Sequence, residues 1–154
     1  MLAYLGILCL IAAWSGCATK QGPYNSQVVS IATDLQKTYT EFLVGIKVTG
    51  SSSPADYKTH LKTYYTKIYV ALSQLDFYSD LPKNTGLKAK VMSLQSETAT
   101  LQNADRESGL TPQFAENELG LLNKDFAEIF LLEISAQAVG AASASASEKP
   151  KPGG

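Results

Sequence analysis

One imidazole offers this chain its only route to histidine chemistry. His60 lies one helical turn after Asp56 in "PADYKTH", the spacing at which a carboxylate can pair with a titratable ring for proton transfer or a pH-sensitive contact. A di-iron centre in a helical bundle takes Glu-x-x-His pairs from two helices, and a chain with 1 His excludes it. The Cys-x-x-Cys-His haem motif, a phosphate-cradling glycine loop and a nucleophile elbow are also absent from the sequence. Nor do residues gather at zinc-ligand spacing. The expectation is therefore no catalytic set, no metal and no cofactor. His60 itself reads as a solvated helix residue in the row Lys58, His60, Lys62.

Aromatic residues are the next chemistry to weigh. Tyr57, Tyr64, Tyr65, Tyr69 and Tyr78, with Phe77, crowd one segment, and tyrosine's rigid apolar body and polar tip suit recognition surfaces. Tyr57, Tyr64 and Tyr78 fall on a 4-3 seam and read as core. Tyr65 and Tyr69 lie off that seam and are expected to face a partner. Tyr64 joins them as a ligand-binding candidate if a pocket opens beside Tyr64, Tyr65 and Ile68. Glu133 is a further candidate, because Phe130, Leu131, Leu132 and Ile134 surround it. A carboxylate in such a stretch escapes to its edge, pairs, or has a raised pKa.

Four amphipathic helices must position these groups. Val28, Ile31, Ala32, Leu35, Tyr39, Phe42 and Ile46 recur at steps of three and four, one face of a helix, with Asn25 or Ser26 as its cap. "SPAD" at 53–56 supplies a cap hydroxyl, a first-position proline and a carboxylate for the second helix. Its seam is Tyr57, Leu61, Tyr64, Ile68, Ala71, Leu75 and Tyr78. After "SDLPKNTG", Leu87, Val91, Leu94, Thr98 and Leu101 mark a third helix that stops at Ser108-Gly109. Thr111-Pro112 opens a fourth, with Ala115, Leu119, Leu122, Phe126, Ile129, Phe130 and Ile134 on its inner stripe. Its acidic residues Glu116, Glu118, Asp125, Glu128 and Glu133 are expected to pair with Lys83, Lys88 and Lys90 of the third helix.

Long helices joined by short loops predict an all-α, up-down-up-down four-helix bundle over residues 26–139. An extended hairpin that assembles as a homo-oligomer is the rival architecture. Residues 140–154, rich in Ala, Ser, Pro and Gly, are expected to form a disordered tail.

No charged residue precedes Lys20, and the oily run from Met1 ends in Ser15-Gly16 before Cys17. A small-residue end to a short apolar run is a cleavage-site pattern. Trp14-Ser15-Gly16-Cys17 resembles the lipobox of a bacterial lipoprotein's type II signal peptide. The resemblance implies removal of residues 1–16 and lipidation of Cys17, which would begin a tether over 17–25. It also implies an acylated amine, anchoring in the membrane and, with Ala18 rather than Asp next, sorting to the periplasmic face of the outer membrane.

With 13 basic against 14 acidic residues, the chain has no basic footprint for nucleic acid. The expected role is non-catalytic: a membrane-tethered module binding an envelope protein, or, from a different class, a carrier of a small apolar or aromatic ligand held between the helices.

Overall fold

The computed structural model describes residues 22–81 and 84–147; residues 1–21, which include the leader, Cys17 and most of the expected tether, Pro82, Lys83 and residues 148–154 lie outside the described residues. The fold is all-α, with no strand among the described residues. Helix α1 is Ser26–Thr49. Helix α2 opens with a 3-10 turn, Pro54–Asp56, runs through Tyr57–His60, widens to a π-helical turn over Leu61–Tyr65 and continues as Thr66–Asp80. Helix α3 is Thr85–Glu107 and α4 is Pro112–Ser147.

Capping chemistry sets the helix starts. The Asn25 side chain accepts from the Gln27 N–H at 2.9 Å, and Asn84 accepts from the Leu87 N–H at 3.1 Å. At α2 the Asp56 carboxylate takes the Ser53 N–H at 2.8 Å and its hydroxyl at 2.9 Å. Asp56 therefore caps its own helix, and those bonds hold its pKa below the ordinary carboxylate value. Thr111 closes the set, accepting from the Phe114 N–H at 3.2 Å.

Each helix packs on its neighbours in chain order, and α1 also packs on α4. The partners run in opposite senses. Lys47 near the end of α1 meets Glu116 near the start of α4, whereas Asn25 before α1 meets Glu133 far along α4. Val28, Leu35, Tyr39, Phe42, Leu72, Leu75, Leu94, Leu101, Leu122 and Phe126 fill the centre. There the Tyr39 hydroxyl bonds Thr98 across the core, and burial drives its pKa up.

Three sequence expectations need correction. The first concerns the seam of α2, which leaves the strict 4-3 pattern at the π turn. That turn inserts an extra residue into the helical register, so the buried line becomes Tyr65, Ile68, Leu72, Leu75 and Ser79, while Leu61 is exposed.

On α4, Ile134 is exposed and Glu133 takes its place on the inner stripe. No acidic residue occupies the first turn of α1. The Asn25 N–H there bonds Glu133 Oε2 at 2.7 Å, so the carboxylate meets the positive end of a helix that lacks its own. Finally, α4 stays helical to Ser147, past residue 139 and into the stretch expected to be disordered. Alanine has the highest helix propensity, and extending a formed helix avoids the cost of nucleation. By length and composition, Pro112–Ala144 would suffice to cross a membrane, but Asp125, Phe126, Ile129 and Glu133 are buried inside the protein.

Candidate functional site

At the end of the molecule where α1 gives way to α2, the loops 50–53 and 108–111 meet. Gly50 and Gly109 adopt φ 101° and 77° to make the turns. Ser52 N donates to the Leu110 carbonyl at 2.8 Å, and Leu110 N donates back to Ser52 Oγ at 2.9 Å. The same hydroxyl reaches Asp105 Oδ1 at 3.2 Å. From α2, His60 Nδ1 lies 2.9 Å from Asp105 Oδ2. The Asp105 side chain is fully buried and that of His60 is 13% exposed.

His60 is therefore no solvated residue, and its partner is Asp105, 45 positions away, rather than Asp56. Serine, histidine and aspartate together are the residue types of a hydrolytic triad, but here the serine bonds the carboxylate, on the wrong side of the imidazole for a nucleophile. What this cluster does is bind two loops and two helices into one fastening.

An aromatic stack backs the fastening. Phe42 lies face to face with Tyr64, centroids 4.7 Å apart, and edge-on to His60 and Tyr65 at 4.9 and 5.4 Å. Tyr65, expected to face a partner, is fully buried; its hydroxyl sits by the Asp105 carboxyl without a hydrogen bond of good geometry among the described residues, and burial followed by Asp105 pushes its pKa far up. The space expected beside Tyr64, Tyr65 and Ile68 is filled by this packing. Glu133 is likewise spent inward; burial raises its pKa against the lowering effect of the Asn25 bond.

Tyr69 is 38% exposed. It lines an open groove of about 850 Å³ between α1 and α2, with Ile31, Val70, Phe77 and Tyr78 as its apolar wall and Gln27, Ser73 and Gln74 among its polar groups. The Tyr69 hydroxyl donates to Gln102 Oε1 at 2.5 Å, and Gln102 Nε2 donates to the Tyr57 hydroxyl at 2.9 Å. The hydrogen bond at its tip ties the ring to α3 at the groove edge. Val70 and Phe77, which the sequence reading did not select for binding, are 55% and 59% exposed. Their signal was available: large apolar residues off the core stripe, Val70 next to Tyr69 and Phe77 about two turns on.

Between α3 and α4 lies a cluster of carboxylates. Lys90 binds Asp125 at 3.2 Å and also Glu128, as the sequence pairing anticipates, whereas Lys88 turns to Asp76 and Asp80 of α2 at 2.7 and 3.1 Å. Burial first, then Asp125 and Glu118, raise the Glu97 pKa to about 7. No group of three or more ligand-type side chains suited to a metal occurs among the described residues.

Comparison of the chain with family models, with curated proteins and with solved structures finds no match.

Proposed function

We propose that the protein is a lipid-tethered, non-catalytic binding module of the bacterial envelope, and that the groove between α1 and α2 receives an amphipathic helix of an envelope protein. The groove carries this reading. Its floor exposes Val70, Phe77 and the edge of Tyr69, its rim is amide and hydroxyl, and it is open along its length. A helix buries an apolar stripe in a groove of this kind. The lipobox-like Cys17 supplies the address, and attachment to a surface raises the local concentration of a partner in the same membrane.

The carrier reading moves with the same observation: a small aromatic ligand would sit in this groove rather than between Tyr64 and Ile68. Pocket volumes of about 300–1,000 Å³ are usual for small ligands.

A photo-crosslinking side chain at Ser73, inside the groove, and a control at Asn117, at the start of α4, separate these outcomes in intact envelopes. A discrete protein adduct from Ser73 that is lost with Val70→Asp, and absent from Asn117, supports the helix-binding groove. A small-molecule adduct in native mass spectrometry, displaced by Phe77→Trp, transfers the assignment to a carrier. Adducts from Asn117 alone overturn both.

A further inference from the structure

Helix α4 carries more apolar surface than the bundle uses. From Ile129 to Ala144, about 22 Å of helix at about 1.5 Å per residue, the one charged residue is Glu133, and it points inward to the Asn25 N–H. The outer side shows Leu131 and Ile134, 61% and 60% exposed, followed by the exposed residues Ala138 and Ala141. Their steps of three, four and three are those of a helix–helix seam. The other side of this stretch is taken: Gly22, Pro23 and Tyr24 border a shallow cavity with Ala136 and Gly140, about half a turn round the helix from Ala138.

Beside the seam, α3 and α4 leave a depression of about 380 Å³ lined in part by Gly86, Ala89, Leu131 and Ser135. Its charged residues, Lys90 and Glu128, are paired with each other. With no unpaired charge among its described residues, this surface suits a partner helix that is itself uncharged, and the same stripe on a second copy meets that requirement.

Size along the seam fixes the direction. It runs from large to small, Leu131 and Ile134 before Ala138 and Ala141. Two copies laid in the same direction would set Leu131 on Leu131 and leave a gap between the alanines. Laid antiparallel, each Leu131 meets Ala138 of the other copy and each Ile134 meets Ser135 at the lip of the depression, so that large faces small. Such an arrangement uses the same patch on both copies and closes as a two-fold dimer.

We infer that α4 pairs antiparallel with α4 of a second copy through Leu131, Ile134, Ala138 and Ala141, making the protein a homodimer. The seam shares no residue with the α1–α2 groove. Each copy therefore keeps its groove, the dimer offers two of them, and the inference stands apart from what the groove binds.

The test uses the full chain in intact envelopes as two differently tagged copies, Leu131→Cys in one and Ala138→Cys in the other. Mild oxidation and non-reducing electrophoresis read the disulfide between them, and the chain without an added cysteine gives the background. In the antiparallel pair the two copies of position 131 lie about 10 Å apart along the helix axis, as do the two copies of 138. That is farther than the roughly 7 Å between Cα atoms that a disulfide spans. The mixed product should therefore exceed either same-site product at least about fivefold. Ile134→Asp in both copies, at a position exposed in the single chain, should lower it at least about tenfold while circular dichroism stays unchanged. A mixed product no greater than the same-site products overturns the pairing. Quenching of a labelled Ala138→Cys by a lipid-borne quencher gives the face to the membrane, and a dominant disulfide adduct with another protein gives it to that protein; either overturns the pairing.

Discussion

Replacing His60 by Ala tests whether the Ser52–His60–Asp105 fastening holds the far end of the molecule. The substitution takes the His60 Nδ1 contact at 2.9 Å from the fully buried Asp105 side chain and leaves the Ser52 hydroxyl bonded to it at 3.2 Å. Leaving a buried polar group short of a hydrogen bond costs about 1–3 kcal/mol. For a domain of this size that is a fall in Tm of about 4–12 °C. The converse change, Asp105→Asn, keeps shape and acceptor and removes the charge. It should cost about 1–3 kcal/mol, the value of a charge-assisted hydrogen bond. The two effects are not additive: His60→Ala/Asp105→Asn should be at least about 1 kcal/mol more stable than His60→Ala, since the orphaned charge is gone. Chemical denaturation followed by circular dichroism at pH 7 measures all four species. A loss below about 1 kcal/mol for His60→Ala, or a double variant no more stable than it, refutes the argument that His60 satisfies a buried carboxyl group.

Other consequences are as direct. Gly109→Ala places a Cβ 2.1 Å from the Ser52 carbonyl oxygen at φ +77°, whereas Gly50→Ala at φ +101° meets open space. Thermal melts should show about 1–2 kcal/mol lost at Gly50, from the left-handed backbone alone, and a larger loss at Gly109. Tyr65→Phe removes a buried hydroxyl that lies by Asp105 without a hydrogen bond of good geometry among the described residues and should change stability by less than about 1 kcal/mol, while Tyr65→Ala should cost about 3–5 kcal/mol in the same denaturant titration. Glu97 holds its proton to about pH 7 when folded and loses it near the ordinary 4.5 when unfolded. The unfolded state therefore releases a proton first, so this group's contribution falls as pH rises from about 4.5 to 7. Glu97→Gln should flatten that part of the stability profile and be relatively more stabilising at pH 8 than at pH 4, as read by urea midpoints.

Much of this fold is local and therefore legible. The stripes of α1 and α3 follow an uninterrupted helical period, and Ser53-Pro54 and Thr111-Pro112 write their helix starts into adjacent residues. The π turn is different. Nothing in "LKTYY" marks an extra residue, since the slip lies in backbone bonds that depend on packing, and Tyr65 was misplaced for that reason. Asp105 left a readable trace: it continues the series Leu87, Val91, Leu94, Thr98, Leu101 by one more step of four, a charge on an apolar line. Its partners Ser52 and His60 left none, because their meeting is set by how two loops close. Of the groove, Tyr69 was legible as an aromatic off the seam. Its neighbours on α1 came into view only with the packing of two helices.

The fastening and the groove lie at opposite ends of the α1–α2 pair: Ser52 and His60 at one, Gln27, Phe77 and Tyr78 at the other. Mechanically the pair is a clothes-peg, sprung at the loops and open at the jaws. The aromatic packing of Phe42 with Tyr64 lies on the spring side of the pair, away from Phe77 and Tyr78 at the jaws. Amide hydrogens should accordingly exchange slowest around Ser52 and Leu110 and faster toward Asp80, and a seated guest should slow the jaws without altering the spring.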